Sequence, residues 1–458
     1  MIAVIWLGII ASVLAFSNLW PRLTLSVCLL CFLSFVTAAQ VFSSYQSDGM
    51  LLEAGFLALF FAPHGLLPGL GVAKPSSRAS LVLLQWEWFR IYFESGLVKL
   101  LSGDPEWRNF TAMDDYYQNG PLPTWIGWYV EHLPHSFHAA TAASTLALEL
   151  IIVWMLFLPR RARLICFCIV TPWEVGVILT ANYAFLNYIV LGLGFLLLDD
   201  ECIGWLLPRW IRGLLPVFRR EIISEATNSK WNANEATREA VEYASTQKAT
   251  ARFFKGTQLC LSAAILVWIA YATAVELIQI PWPDLPVPTK PILALEPFRI
   301  ANQYGLFAFM TRGRYEIEFQ GSNDGTNWTP YLFRYKPQTL NAPPGIYAPY
   351  QPRFEWNLWF ASFGDWHQNE IVPLTEERLL ENDEDVLALF KGNPFGHSAP
   401  RYVRAVLWRY RFTSIAEKRR SGNWWERELL GLYAPVLTQQ PDGRIVTTEL
   451  PDDLPPHD

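Results

Sequence analysis

The sequence predicts a polytopic α-helical membrane bundle of about eight transmembrane helices, followed by a mostly β, sandwich-like extracytoplasmic domain with short helices. Three observations support this fold class. Hydrophobic residues make up 52% of the 458 residues and charged residues 17%, whereas about 25% charged residues is ordinary for a soluble domain. Residues 1–217 hold 25 of the 78 charged residues, about 12% of that segment. Alternating apolar and polar residues, which are typical of strands, appear in the more highly charged second half.

Composition also excludes several classes of protein. The hydrophobic content excludes a disordered or collagen-like chain. The net charge of −6 gives no basic excess, so nucleic acid is not predicted as a partner. The chain has no GxGxxG, Walker, HExxH or GxSxG motif, and we predict no cofactor and no metal. A CxxC at Cys28 and Cys31 lies in an apolar stretch, which favours helix packing over redox or metal chemistry.

Eight apolar windows are close to the ~20 residues that a helix needs to cross a bilayer. They are residues 2–16, 23–42, 51–72, 79–101, 139–158, 164–181, 182–198 and 254–278. Basic residues lie in the turns that this count places on one side, at Arg22, Lys74, Arg78, Arg160, Arg161, Arg163, Arg209, Arg212, Arg219 and Arg220. Because such residues stay cytoplasmic, the N-terminus, residues 102–138 and everything after residue 278 are predicted to lie on the opposite side.

The sequence is predicted to divide into consecutive regions. They are a multi-span transmembrane domain (1–217), a polar cytoplasmic linker or helix (218–253), a last transmembrane helix (254–280), an extracytoplasmic β-rich domain (281–438) and a disordered tail (439–458). Within the first region, residues 201–215 alternate apolar residues with arginine and are predicted to form an interfacial helix. Five prolines between residues 281 and 291 are expected to form a stiff tether.

The extracytoplasmic domain is predicted from period-two alternation. Residues 314–321 and 331–335 alternate on either side of an Asn-Asp-Gly turn, which indicates a strand–turn–strand unit, and residues 401–413 form another long strand. Residues 384–391 are expected to form a short helix capped by Asp383. Residues 261–458 contain no cysteine, so this fold rests on packing. Two interpretations of its tryptophans are open: they fill a sandwich core, or some of them form an exposed binding patch.

Ionisable side chains inside a membrane-length helix are functional candidates, because burying them in lipid is costly. Glu87, Arg90 and Glu94 occur at i, i+3 and i+7 on residues 79–101, hence on one helix face, and Lys99 follows near the predicted outer end. Two interpretations are open. In one, the arginine pairs with the carboxylates and the lysine reaches the interface. In the other, these four residues line a polar cavity in which Lys99 acts as a catalytic base.

The predicted outer loop, residues 102–138, supplies a second set of candidates. Binding residues are predicted at Asp104, Trp107, Arg108, Tyr116, Tyr117, His132 and His138. His132, His135 and His138 have a spacing that would suit a metal on one helix, but Pro134 interrupts that turn. We therefore favour interfacial packing of these histidines over metal binding.

Five stretches of the chain resemble the lipase maturation factor family, in the family's order. They are LLEAGFLALFFAP (51–63), SGLVKLLSGDPEWRNFTAM (95–113), PLPTWIGWYVEHLP (121–134), YGLFAFMTRGRYEIEFQGSNDGTNW (304–328) and PRYVRAVLWRYRFTS (400–414). The resemblance implies a polytopic membrane protein that helps dimeric lipases to fold and assemble, acting as an assembly factor rather than an enzyme. It implies membrane lipids and secreted clients as partners. It also implies location in the endoplasmic reticulum membrane in a eukaryote or the inner membrane in a bacterium, with a lumenal or periplasmic C-terminal domain.

The chain departs from the family pattern in two places. The family usually has one more helix before the first one here, so we expect a truncated or misannotated start. The family loop usually reads like HYETQPLP, whereas this chain has Tyr116 and Gln118 at the positions of the His and the Glu. His132 and His138 match family positions, and His135 does not.

A shorter stretch, YFESGLVKLLSGDPEW (92–107), is similar to the membrane segment of vitamin K-dependent γ-carboxylases. In that family the lysine aligned with Lys99 is a proposed base. This resemblance implies an alternative function, a membrane enzyme acting on a lipid or a polypeptide at the outer face, with Glu87, Arg90 and Glu94 lining its site. A transporter is a third interpretation, but the sequence has no visible inverted repeat.

Overall fold

Each of the eight predicted membrane windows contains a helix, but the helix in the window 51–72 ends at Phe61. The computed structural model describes residues 2–43, 45–68, 76–208 and 249–452. The helices that precede the sheet domain are α1 (Ile2–Phe16), α2 (Pro21–Ala39), α3 (Gln46–Phe61), α4 (Arg78–Leu101), α5 (Pro105–Arg108), α6 (Tyr116–Asn119), α7 (Trp125–Glu131), α8 (His135–Leu150), α9 (Arg160–Thr180), α10 (Leu186–Gly194), α11 (Asp200–Leu206), α12 (Ala249–Gln279) and α13 (Lys290–Leu293). Short 3₁₀ turns prolong α2 to Ser43, α8 to Phe157 and α10 to Leu197.

Four described helices are long and apolar enough to cross a membrane. They are Pro21–Ser43, His135–Phe157, Arg160–Thr180 and Gly256–Gln279, and two shorter apolar helices are Ile2–Phe16 and Leu186–Leu197. The helical membrane region is therefore confirmed, while a total of eight spans stays a prediction. Helix α4 differs from the four because its 24 residues include Glu87, Arg90, Glu94 and Lys99.

Two predicted segments fall partly outside the described residues. The interfacial helix predicted for residues 201–215 begins as α11, whose N-terminus is capped by Asp199 through a bond accepted from the Cys202 amide, and residues 209–215 are not described. Of the linker predicted for residues 218–253, residues 218–248 lie outside the described part of the chain.

The C-terminal region forms a six-stranded antiparallel sheet. Its strands are β1 (Arg314–Ser322), β2 (Thr329–Pro330), β3 (Tyr402–Phe412), β4 (Trp425–Leu432), β5 (Val436–Gln439) and β6 (Ile445–Glu449), and its helices are α14 (Arg353–Ala361), α15 (Ile371–Leu380), α16 (Glu384–Leu387) and α17 (Ile415–Ser421). The order is β2-β1-β3-β5-β6, with β4 also paired to β3. The central pair runs from Arg314 opposite Tyr410 to Ser322 opposite Tyr402. The predicted strands at 314–321 and 401–413 are thus confirmed, as is the Asp383 cap of α16.

The predicted sandwich is corrected to one sheet covered by helices. Helices α14 and α15 pack on β1, β3 and β5 and supply the second layer within the described residues. The signal for α14 was present in the sequence, because Phe354, Leu358 and Ala361 recur at i, i+4 and i+7 and all three are buried. Both faces of β1 are consequently covered, and all nine of its residues are buried.

Two other predictions about this domain are corrected. The second strand does not extend through residues 331–335. Tyr331 still donates its backbone amide to the Phe319 carbonyl of β1 at 2.9 Å, but the amides of Arg334, Tyr335 and Lys336 donate to the buried Glu355 carboxylate. The predicted disordered tail contains β6, which pairs with β5 across the turn at residues 440–443. Gly443 has a φ of 83°, a conformation that favours glycine, so the Pro-Asp-Gly sequence of this turn was the missed signal.

The chain folds into two compact units that alternate along the sequence. The first comprises Met1–Leu97, Glu149–Val170 and Gly192–Gly305, and the second comprises Val98–Leu148, Thr171–Leu191 and Leu306–Asp458. The loop at 102–138 therefore belongs to the same unit as the sheet. The five regions predicted from the sequence are consecutive, and that division stays a prediction. Each compact unit is instead assembled from three separate segments of the chain.

Candidate functional site

A fully buried charge cluster in the first unit is built around Arg90 of α4. Its guanidinium forms an ion pair with Glu53 of α3 and a second one with Glu94, one helical turn further along, at 3.5 Å. All three side chains are at most 1% exposed. Glu53 of α3 therefore joins the predicted charged face of α4. An arginine balancing two carboxylates lowers the large cost of burying each charge alone.

The segment that follows α12 closes this cluster. Asn302 donates to Glu53 Oε2 from its backbone amide and from its side-chain amide, each at 3.1 Å, and its carbonyl accepts from Arg90 at 2.6 Å. The Tyr304 hydroxyl donates to Glu53 at 2.9 Å, and its backbone amide donates to Glu94 at 2.6 Å. A methyl group on Gly49 would lie 2.6 Å from the side-chain oxygen of Asn302, so glycine leaves room for this contact. Sequence reasoning missed Asn302 and Tyr304 because neither is ionised or lies in an apolar window.

Glu87 lies one turn before Arg90 and is fully buried. Both of its carboxyl oxygens are shielded from solvent. Glu87, Arg90 and Glu94 therefore lie on a face of α4 that is buried inside the protein. The groups that contact Arg90 and Glu94 belong to this chain.

Lys99 belongs to the second unit and is buried. Its ammonium lies 5.1 Å from the ring centroid of Trp107, a cation–π distance, and the reach of this lysine to the membrane interface stays a prediction. That Lys99, Glu87, Arg90 and Glu94 line one catalytic site stays a prediction.

Most of the predicted binding residues of the loop are buried in the second unit. Asp104 accepts from the Met310 amide at 2.7 Å, and the Trp107 indole donates to the Phe307 carbonyl at 2.9 Å. Trp107 and Tyr117 share a core cluster against which Tyr116 packs. Arg108 is the one of the seven predicted binding residues whose side chain is exposed. Asp104, Trp107 and Tyr116 hold the loop to the segment before β1.

The three histidines of the loop make separate contacts. His132 lies between the Trp128 and Thr413 carbonyls at 2.7 and 3.0 Å, His135 contacts the Asp114 carboxylate at 2.9 Å, and the buried His138 contacts the Glu131 carbonyl at 3.3 Å. Within the described ranges, no group of three or more His, Cys, Asp or Glu side chains could hold a metal ion.

Arg314, the first residue of β1, fastens the loop to the sheet. Its fully buried guanidinium donates to the carbonyls of Gln118 at 2.8 Å, Gly120 at 2.5 Å and Pro121 at 3.2 Å. It also pairs with Glu316, whose other oxygen is 2.8 Å from the Lys336 ammonium. One buried cation thus satisfies three carbonyls of a loop that would otherwise lack partners.

Asn182, which follows α9, is a second residue that joins the loop to the sheet domain. Its side-chain amide donates to the Leu122 carbonyl at 3.0 Å and the Gly345 carbonyl at 2.9 Å. Its side-chain oxygen accepts from the amides of Tyr347 and Ala348 at 2.7 and 3.0 Å. The loop and the sheet domain are therefore joined by polar contacts from two different elements.

A cleft of about 360 Å³ lies beside α6, at the start of β1 and the end of β3. Its lining includes Asp115 and Gln118 from the loop and four arginines, Arg312, Arg314, Arg409 and Arg411. Arg312 pairs with Glu106 at 3.1 Å and Arg409 with Glu428 at 3.6 Å. Arg411 is exposed and forms no ion pair within the described part of the chain. Guanidinium groups that are exposed or loosely paired suit the binding of carboxylates.

Glu131, at the end of α7, carries a strongly shifted carboxyl group. Burial raises its pKa to about 9, and the negative charge of Asp115 acts in the same direction. Its Oε2 atom has no hydrogen-bond partner among the described residues. The carboxyl group is consequently protonated at neutral pH in the folded protein, whereas it is ionised in the unfolded chain.

Replacing Glu131 with glutamine should change the pH dependence of stability. Because the folded pKa is raised, the contribution of Glu131 is fully present below its ordinary value of 4.5 and is lost as the pH rises through about 9. We expect Glu131→Gln and the parent to unfold alike at pH 5, and the variant to be more stable by on the order of 1–3 kcal/mol at pH 8. Thermal unfolding in detergent at the two pH values measures this, and a difference that is the same at both would contradict it.

Comparisons with known proteins cover both halves of the chain. Residues 1–205 match the family model described as the lipase maturation factor transmembrane domain, and residues 300–435 match that of the lipase maturation factor C-terminal domain. Lipase maturation factor 2 of Gallus gallus is 30% identical, over 98% of this chain and 73% of the relative. Lipase maturation factor 1 of Mus musculus is 30% identical, over 89% of this chain and 68% of the relative. No solved structure matches the chain.

Proposed function

This chain is a membrane protein that belongs to the lipase maturation factor family, and we propose that it assists the folding or assembly of secreted lipases through its second compact unit. The main observation behind the proposal is that the loop at residues 102–138 and the sheet domain belong to the same compact unit. A folding factor needs a preformed surface on which a client is held, because a surface that orders only on binding loses affinity to the ordering entropy.

The buried residues of the loop hold that preformed surface in place. Asp104, Trp107 and Tyr117 are buried by the protein's own backbone and core, so we assign them the role of support rather than of direct client contact. Their partners on the segment before β1 keep the loop in place. This reassigns six of the seven predicted binding residues from contact to positioning and leaves Arg108 as a contact residue.

We place the client contact at the cleft lined by Arg409 and Arg411. Arginine is enriched among the residues that dominate protein interfaces, because its planar group binds carboxylates with two bonds and stacks on aromatic rings. A cleft of about 360 Å³ accepts one or two side chains of a client rather than a folded domain. Acidic side chains of a partly folded lipase are the groups that it suits.

The same proposal includes a location. The arginine-bearing turns, among them the segment with Arg160, Arg161 and Arg163, favour the cytoplasmic side. The loop and the sheet domain would then face the lumen of the endoplasmic reticulum or the bacterial periplasm, where secreted lipases fold. The membrane-enzyme alternative gains no such support, because Lys99 contacts Trp107 and the partners of Arg90 are Asn302, Glu53 and Glu94.

The test is the maturation of a secreted lipase encoded in the same genome. In cells that lack the endogenous copy of this protein, the full chain should raise the ratio of active to total lipase. The double variant Arg409→Ala/Arg411→Ala should lower that ratio on the order of fivefold or more, because truncating an interface arginine commonly costs over ~1–2 kcal/mol. Arg378→Ala, which removes an exposed arginine from α15 of the same unit, is the matched control and should leave it unchanged.

The outcomes separate the parts of this proposal. If lipase activity per molecule does not depend on the full chain at all, the proposed function is wrong. If the full chain is needed but the double variant behaves like Arg378→Ala, the function stands and the assignment of the cleft is wrong.

A further inference from the structure

One face of α7 presents large apolar side chains that the protein leaves open. Trp125 and Tyr129 are one helical turn apart and are 44% and 53% exposed. Leu133 follows at the same spacing and is 40% exposed, and Phe137 in the first turn of α8 is 42% exposed. The other side of α7 is inside the unit, where Trp128 is buried. Two open aromatic side chains on α7, followed by Leu133 just beyond its end and Phe137 at the start of α8, indicate a binding surface rather than scattered exposure.

This row leads directly into a membrane span. Helix α7 ends at Glu131, and the span-length helix His135–Phe157 begins four residues later. The row therefore occupies the level at which the chain enters the bilayer. Tryptophan and tyrosine are enriched at that level, because their rings combine an apolar body with a polar atom.

A basic helix of the sheet domain packs against the same part of α7. Trp424, just after α17, lies with its ring centroid 5.3 Å from that of Trp128 and 6.3 Å from that of Tyr129. The Lys418 ammonium of α17 is 3.8 Å from the centroid of Trp424 and 5.6 Å from that of Trp128. Lys418 is thus held over Trp424, whose ring contacts that of the exposed Tyr129.

The charges of α17 are only partly neutralised. Arg420 pairs with Glu417, one turn away. Lys418 and Arg419 form no ion pair among the described residues, and Arg419 is exposed. A cation stacked on tryptophan and an exposed arginine beside exposed aromatic side chains suit the surface of a phospholipid leaflet, which is apolar at depth and anionic outside.

We propose that α7 and α17 form a lipid-binding edge of the second unit: Trp125, Tyr129 and Leu133 enter the interfacial layer of the bilayer at the start of α8, and Lys418 and Arg419 bind anionic headgroups. The occupant of this edge is the leaflet that surrounds the chain's own span. The edge fixes the sheet domain against the membrane surface, so lipid composition sets how firmly the domain is held there.

A photo-crosslinking amino acid in the full chain tests the contact with lipid. Tyr129→p-benzoylphenylalanine, in nanodiscs of phosphatidylcholine and phosphatidylglycerol, should give lipid adducts that mass spectrometry detects after illumination. Asn327 is the control position, because it is exposed in the turn at the opposite end of the β1–β3 pair from Phe412. Lipid adducts at Tyr129 and none above background at Asn327 support the proposal, and equal yields at both positions, or none at Tyr129, overturn it.

Hydrogen exchange of residues 414–421 tests the anionic preference. We expect exchange to slow about tenfold when phosphatidylglycerol is added to phosphatidylcholine nanodiscs, since each basic residue near an anionic surface contributes a several-fold preference. Lys418→Gln/Arg419→Gln should abolish this slowing, whereas Lys391→Gln, an exposed lysine elsewhere in the unit, should keep it. Exchange that is independent of lipid charge, or equally affected by both variants, would rule out headgroup binding by α17. Neither result depends on whether the protein acts on lipases.

Discussion

Replacing Arg90 with methionine is expected to destabilise the protein by about 3–5 kcal/mol, because it leaves the carboxylates of Glu53 and Glu94 buried without their cation. Methionine keeps most of the volume, so a cavity contributes little to the loss. The expected results are a sharply lower midpoint of thermal unfolding in detergent and a lower steady-state level of the protein in the membrane.

Two companion variants make this result specific. Arg78→Met removes an exposed arginine from the first turn of the same helix and should change stability by no more than ~0.5 kcal/mol. Adding Glu53→Gln to Arg90→Met should recover part of the loss, since one of the orphaned charges is then absent. An Arg90→Met protein that unfolds at the same temperature as Arg78→Met would show that the cluster does not stabilise the first unit.

Arg314→Met is expected to release the loop from the sheet and to cost about 2–4 kcal/mol, because the carbonyls of Gln118, Gly120 and Pro121 lose a buried donor. Glu316 keeps the Lys336 ammonium at 2.8 Å, so its charge stays paired and the loss is smaller than for Arg90. Hydrogen exchange should accelerate in residues 118–123 and stay unchanged in α15, which separates release of the loop from global unfolding.

Arg312→Met is the matched control for this variant. Arg312 lies two residues away, is 56% exposed and pairs with Glu106 at 3.1 Å, so its loss should cost less than ~1 kcal/mol. Under the proposed function, Arg314→Met should also reduce lipase maturation, because the loop and the cleft would no longer be held together. If Arg314→Met matches Arg312→Met in both exchange and stability, the loop is held mainly by other contacts such as those of Asn182.

Local features of the fold were predictable because they depend on neighbours in the sequence. The α4 face that carries Glu87, Arg90 and Glu94, the Asp383 cap and the alternation of β1 each depend on fewer than ten consecutive residues. The same local logic failed at residues 331–335, where the buried Glu355 of α14 takes the backbone amides that a strand would have used. The backbone of Arg334 and Tyr335 bends there instead of continuing as a strand.

The candidate site residues show the same difference between what local sequence predicts and what distant contacts decide. For Lys99 the sequence left two interpretations open, a lysine that reaches the membrane interface and a catalytic base. The structure adds a contact that neither interpretation contained, between its ammonium and a tryptophan eight residues further along. The loop residues Asp104 and Trp107 were recognised as important, but their role as supports depends on Met310 and Phe307, which no local pattern connects to them.

The amino-acid sequence by itself determined the helical membrane region, the two central strands of the sheet and the family to which the chain belongs, since each of these is encoded in periodicity, charge and motif order. Only the tertiary structure decided which carboxylate faces Arg90, what closes that cluster and how the loop joins the sheet. The physical reason is distance along the chain: Arg90 and Asn302 are 212 residues apart, and Arg314 and Gln118 are 196 apart. A buried charge must find a partner, but the sequence does not say which of many distant groups the fold will bring to it.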